Sequence, residues 1–285
     1  MRNRLMLFVQ LTRLNRPIGW LLVLWPTLWA LWLASDGTPR IDLLIIFSLG
    51  AIVMRSAGCI INDIADRKLD GHVKRTQDRP LALGQLQLSE AWAGFAALVF
   101  IAIILVLLTN TLTMLLAVGA LVLASVYPFM KRYTHLPQLI LGAAFAWSIP
   151  MAFASVQETV PVEAWLVYFT VVIWTMVYDT FYAMVDRDDD IQIGIKSTAV
   201  LFGEQDRLIT ATLQILVVGG LLMMAPRFEL NALYYLGVAT ASALFIYQQR
   251  LIRYRQRSQC FKAFLNNHWA QLAILLGIIA GQLPL

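Results

Sequence analysis

The chain has 285 residues, 59% of them hydrophobic and 14% charged, against about 25% charged in an average soluble domain. With a mean hydropathy of +0.69, this balance excludes an ordinary soluble protein and implies one integral membrane domain over residues 1–285. The net charge of +5 does not indicate nucleic acid, because the basic residues sit between apolar runs. The two cysteines, Cys59 and Cys260, lack the spacing of a zinc site or a disulfide framework.

Nine apolar runs follow in chain order, at about 18–35, 42–62, 89–108, 111–129, 136–155, 161–181, 208–225, 231–249 and 265–283, each long enough for a bilayer-spanning helix. The breaks at Thr109-Asn110-Thr111 and Gln157 to Pro161 leave room only for tight turns, so the spans alternate in direction. With nine alternating spans, 19 of the 22 Lys and Arg residues fall on one side; Arg40 and Arg227 face the other way and Arg55 lies within a span. The positive-inside rule then puts the N-terminus in the cytoplasm and the C-terminus outside. Trp32 occupies the outer small position of the only candidate cleavage site after the first run, which argues against a cleaved signal peptide. No Arg/Ser-rich transit segment precedes the first run, which favours a bacterial plasma membrane over an organelle.

Two longer cytoplasmic loops are expected, at about 63–88 and 182–207, and each opens with acidic residues at the end of a span. If the second helix continues at about 100° per residue, Asn62, Asp66 and Asp70 share one face with Asp63 close by. On the sixth, Asp179, Asp186 and Asp190 form a stripe within about 20° of one line. Eight of the 17 acidic residues sit in these two segments, with Asp188 and Asp189 completing the second. Gathering like charges at a membrane boundary is costly unless a cation lies between them. Hard oxygen donors on two facing helix ends suit Mg²⁺, which keeps waters and binds one or two carboxylates plus substrate phosphates. A solvated acidic rim, a Ca²⁺ site and a cation pathway are the other readings of the same clusters.

Basic residues that could complete a phosphate site follow in Asp70 to Thr76, Arg79, Lys131, Arg132 and Lys196, although any one of them could be only a topological signal. Arg55, seven residues before Asn62, sits about two turns deeper on the same face, where an ionisable group is expensive and by default functional. It would suit an anionic acceptor; a structural ion pair or snorkelling is the alternative.

The segments from Arg55 to Asp66, Asp70 to Thr76, Tyr127 to Gln138 and Tyr178 to Ala199 resemble, in order and spacing, the UbiA superfamily of intramembrane aromatic prenyltransferases, and in particular its hydroxybenzoate branch. The resemblance covers nearly the whole chain. It implies an all-α bundle of nine transmembrane helices around a central cavity, with the active site facing the cytoplasm of the bacterial inner membrane. It further implies that Asn62, Asp66, Asp70, Asp186 and Asp190 bind Mg²⁺, the four aspartates being catalytic. Polyprenyl diphosphate and 4-hydroxybenzoate would be the substrates. Arg55, Asn62, Asp63, Arg79, Tyr127, Lys131, Arg132 and Lys196 would contact them, and Asp190 or Asp63 would take the ring proton. A different aromatic acceptor, a lipid-phosphate phosphatase and a transporter are the competing functions. A transporter would carry its charges near the bilayer midplane, where only Arg55 is placed.

Overall fold

The computed structural model describes residues 4–67, 70–72 and 75–284, and every regular element among them is helical. A short helix α1 (Arg4–Leu11) buries Leu7 and Leu11 against Ile60, Leu86 and Ala91. It is followed by α2 (Ile18–Ala34), α3 (Ile41–Asp66), a 3₁₀ turn at Asp70–His72, α4 (Leu88–Leu107) and α5 (Thr111–Met130). Next come α6 (Pro137–Ala146), α7 (Ser148–Gln157), α8 (Val162–Ile193), α9 (Thr198–Phe202), α10 (Asp206–Arg227), α11 (Tyr234–Leu251) and α12 (Arg257–Gly281).

Each of the nine apolar runs coincides with a helix or, for 136–155, with the pair α6 and α7. That pair breaks at Trp147, because Pro150 has no N–H to give the carbonyl of Ala146 and its ring crowds the same turn. Seven spans among the described residues are long and apolar enough to cross a membrane. α2, with 17 residues, falls just short in length. α11 ends in Gln248, Gln249 and Arg250, which lowers its apolarity.

The two expected loops differ from the sequence reading in instructive ways. Most of 182–207 is helix: α8 continues to Ile193 and stops only at Gly194, whose φ of 72° lets its N–H turn back to the carbonyl of Asp190. At 32 residues α8 is about 48 Å long, more than a hydrocarbon core of about 30 Å requires, so its acidic end projects beyond the apolar layer. Conversely, α3 does not run on to Asp70. It ends at Asp66, where Arg132 donates to the carbonyl of Ala65 at 2.6 Å and satisfies one of the open acceptors of the last turn.

The core forms around α8. Trp29 of α2 lies 5.6 Å from Trp174 of α8 and donates through Nε1 to the Gln271 carbonyl of α12 at 3.0 Å, while Trp174 donates to Asn267 at 2.9 Å. Inside a bilayer, buried polar groups must find partners on neighbouring helices. α10 and α11 do so through an amide ladder: Gln249 Nε2 donates to Gln214 and Gln214 Nε2 to Gln248, both at 2.9 Å, and Gln248 Nε2 donates to Asn266 of α12 at 3.0 Å. α11 and α12 approach closely at Gly237, where a Cβ would come within 2.6 Å of the Ala273 carbonyl. α4 and α5 stand at the periphery, with Phe100, Ile104, Leu115 and Val122 exposed, as lipid-facing helices require.

Candidate active site

A cavity of ≈ 1180 Å³ runs between the helices, with walls mainly from α2 to α8 and α12. Its apolar part is lined by Phe47 of α3, Val99, Ile103 and Val106 of α4, and Met114, Val118 and Leu121 of α5. Its charged end brings together Asn62, Asp66, Asp70, Asp186 and Asp190 with Arg75, Arg79, Lys131 and Lys196. Both acidic segments therefore face one space.

On α8 the helical register alone delivers the side chains, and Asp179, Asp186 and Asp190 all line the cavity. The other segment is held by ion pairs. Asp66 pairs with Lys131, and Asp70 accepts from Arg79 Nη1 at 2.9 and 3.0 Å. The Asp70 carbonyl also takes the Thr76 hydroxyl at 2.9 Å. Arg75 crosses to α8, where its Nε donates to Asp186 at 2.8 and 3.0 Å and its guanidinium lies 4.4 Å from the ring centroid of Tyr182. Burial pushes the Asp70 carboxyl above the usual carboxylate range, against the pull of Arg79.

Three of the sequence-derived residues are placed differently from the others. Asp63 is only 1% exposed and does not line the cavity. It is clamped by Arg13 at 2.6 Å and Arg79 at 2.9 Å, and so holds Arg79 from outside the lining. Arg132 is exposed and outside the cavity lining, occupied by the end of α3. Lys196 lines the cavity but directs its ammonium to the Tyr133 carbonyl at 3.3 Å. Val73 and Lys74 of the segment from Asp70 to Thr76 lie outside the described residues.

Arg55 and Tyr127 both line the cavity, Arg55 about three turns back along α3 from Asp66 and Tyr127 about one turn before Lys131. Arg55 donates to Cys59 Sγ at 2.7 Å, its guanidinium carbon lies 5.4 Å from the Phe145 ring centroid, and its Nε has no partner. Asp179 lines the same space from α8. The sequence reading missed Arg13 as anything beyond a topological charge, since nothing local connects it to an aspartate 50 residues away. Asp179 was visible as part of the α8 stripe, but its position in the deep part of the cavity was not.

Among the described residues no three His, Cys, Asp or Glu side chains converge closely enough to hold a metal ion by themselves. The donor set fits a cation that arrives with its own ligands: Asp66 Oδ1 is buried without a partner, and four carboxylates and Asn62 line one space with cations beside them. Mg²⁺ needs only one or two of those carboxylates when phosphate oxygens and waters complete its octahedron.

A profile of the UbiA prenyltransferase family matches residues 23–274. A 4-hydroxybenzoate octaprenyltransferase of Hahella chejuensis is 57% identical over 98% of this chain and 93% of its own length. Among solved structures, a UbiA homolog from Aeropyrum pernix K1 superimposes with a TM-score of 0.80 at 26% identity, covering 92% of this chain and 98% of that one. A UbiA homolog from Archaeoglobus fulgidus bound to GPP and Mg²⁺ gives 0.68 at 18% identity, covering 96% and 99%.

Proposed function

The chain belongs to the UbiA prenyltransferase family, and from that premise we propose that it transfers a polyprenyl group from its diphosphate to the ring carbon ortho to the hydroxyl of 4-hydroxybenzoate, releasing diphosphate. The observation that carries this reading is the single cavity that joins a charged end to an apolar channel, which suits a molecule that is diphosphate at one end and hydrocarbon at the other. The name of the Hahella relative supplies the acceptor, and the product would be an intermediate of ubiquinone biosynthesis.

The protein works as a single domain with nine spans, α2 to α5, the α6/α7 pair, α8, α10, α11 and α12. Its charged end faces the cytoplasm of the bacterial inner membrane, with the N-terminus inside and the C-terminus outside, as the distribution of Lys and Arg supports. Asp66, Asp70, Asp186 and Asp190, with Asn62 as a further oxygen donor, would hold Mg²⁺, the ion bound with GPP in the Archaeoglobus homolog. When bound, the metal supplies Lewis-acid polarisation of the diphosphate oxygens.

The residues of the chain do the remaining work. Arg75, Arg79 and Lys131 are placed to exchange their carboxylate partners for the departing diphosphate, which takes the electron pair of the C–O bond as that bond breaks. Arg55 binds the carboxylate of 4-hydroxybenzoate and turns the ring toward the allylic carbon, and Tyr127 closes the same wall. Ring electrons form the new C–C bond, and a cavity carboxylate takes the displaced ring proton. Of the two candidates for that role, Asp190 faces the cavity and Asp63 does not. The apolar walls of α4 and α5 exclude water that would otherwise quench the cation.

Membranes containing the protein, given labelled 4-hydroxybenzoate, a polyprenyl diphosphate and either Mg²⁺ or excess EDTA, test this directly. Labelled lipid that forms only with Mg²⁺ is expected. None from folded protein across several donor lengths overturns the reading.

A further inference from the structure

We propose that Arg257 is a positioning residue for this reaction, acting through the end of α8. The inference rests on the assignment of the acidic end of the cavity made above. On α8, Tyr178, Tyr182 and Asp189 fall within about 40° of one line, with Asp186 and Asp190 turned to one side of it. On α12, Arg257, Phe261 and Phe264 line up likewise at spacings of four and three. The two stripes meet antiparallel. Phe264 lies 6.2 Å from Tyr178 and 4.7 Å from Tyr182, and Phe261 lies 6.3 Å from Tyr182, centroid to centroid. Beyond them Arg257 donates to both oxygens of Asp189, at 3.0 Å from Nη1 and 2.9 Å from Nη2.

Asp189 is buried and does not line the cavity, although its neighbour Asp190 does. A forked arginine–carboxylate pair fixes orientation as well as distance, so it locks the rotation of the last turns of α8 and with it the direction of Asp186 and Asp190. The same helix-to-helix contact seats Phe261 and Phe264 in the cavity wall against Tyr182, whose hydroxyl accepts from the Arg75 that holds Asp186. The run of aspartates therefore divides its labour: Asp186 and Asp190 face the substrate, and Asp189 anchors them from behind. Arg255, two residues away, offers a contrast. It pairs with buried Asp206 at 2.8 to 3.1 Å at the start of α10, and reaches α8 through the longer 4.0 Å contact of Asp206 with Arg187.

The test uses purified full-length protein, with Mn²⁺ binding in the presence of geranyl diphosphate followed by electron paramagnetic resonance, and the Mg²⁺ dependence of prenyl transfer measured alongside. Arg257→Ala should weaken Mn²⁺ binding and raise the Mg²⁺ needed for half-maximal rate by about tenfold, the usual effect of losing a group behind a ligand. The KM for 4-hydroxybenzoate should move by less than about twofold. Arg257→Lys, which keeps the charge but loses the fork, should fall between, and the reversed pair Arg257→Asp with Asp189→Arg should recover most of the loss. Arg255→Ala should lower the melting temperature without changing the Mn²⁺ constant.

Unchanged metal constants in Arg257→Ala, an equal loss in Arg255→Ala, or a reversed pair no better than Arg257→Ala would overturn the inference. If Arg257→Ala fails to fold, the lysine variant and the reversed pair decide it. Should the wild type bind Mn²⁺ with geranyl diphosphate but prenylate no 4-hydroxybenzoate, the proposed acceptor fails while the metal constants still decide the role of Arg257. Should it bind neither, both fall.

Discussion

The two acidic segments reach one cavity by different physical means. On α8 an unbroken helix sets the directions of Asp179, Asp186 and Asp190, so the geometry is intrinsic to the backbone. At the other segment α3 ends at Asp66 and Asp70 sits on a separate turn, so its geometry depends on Arg13, Arg79, Lys131 and Thr76. One wall is built by periodicity and the other by charge.

The largest expected effect of that difference is on stability. Arg79→Ala removes a cation shared by Asp63 and Asp70 and leaves Asp63, 1% exposed, with Arg13 as its only ion-pair partner among the described residues. Breaking such a buried pair costs about 3–5 kcal/mol, visible as a marked fall in melting temperature. Arg75→Ala frees an aspartate already fixed by its helix, and should cost clearly less. Equal losses in the two variants would contradict the contrast.

A one-residue insertion between Tyr182 and Ala183 turns Asp186 and Asp190 by about 100° and should reduce prenyl transfer by about a hundredfold or more. The same insertion after Arg67, beyond the end of α3, should cost about tenfold, because Asp70 is held by Arg79 and Thr76 and not by helical register. Initial rates at saturating donor separate the two.

The pH dependence sharpens the comparison on the charge-built side. Because burial raises the Asp70 carboxyl, its proton competes with a metal above the usual carboxylate range. Metal-dependent transfer should therefore rise with pH over that interval, and Asp70→Asn should remove that part of the profile. The sign for folding is the reverse: the folded chain holds this proton more tightly than the unfolded one, so the stabilisation present at low pH is lost as pH rises through the raised value.

The smallest effect is expected outside both segments. Gln248→Leu removes the middle of the amide ladder and should cost about 1 kcal/mol, read as a small fall in melting temperature with the metal dependence unchanged.

The helices were legible in the sequence because a bilayer demands long apolar runs, and all nine runs coincide with helical segments. The α8 stripe was legible as well, since its register needs only the helical repeat and no tertiary partner. Hydropathy misplaced the end of α8 because apolarity stops near Phe181, whereas the hydrogen-bonded helix continues to Gly194. It could not place Asp63 behind the cavity or Arg132 at the end of α3, because those positions depend on partners far away in the chain.

By itself, then, the sequence determined which segments are apolar, which faces carry acid, and which chemistry such faces suit, because each depends on composition or local periodicity. Only the tertiary structure decided which carboxylate meets which cation, where α3 stops, and that Arg257 stands behind Asp189. Those outcomes depend on the approach of segments up to 111 residues apart, as between Arg75 and Asp186, and no local pattern encodes the distance between them.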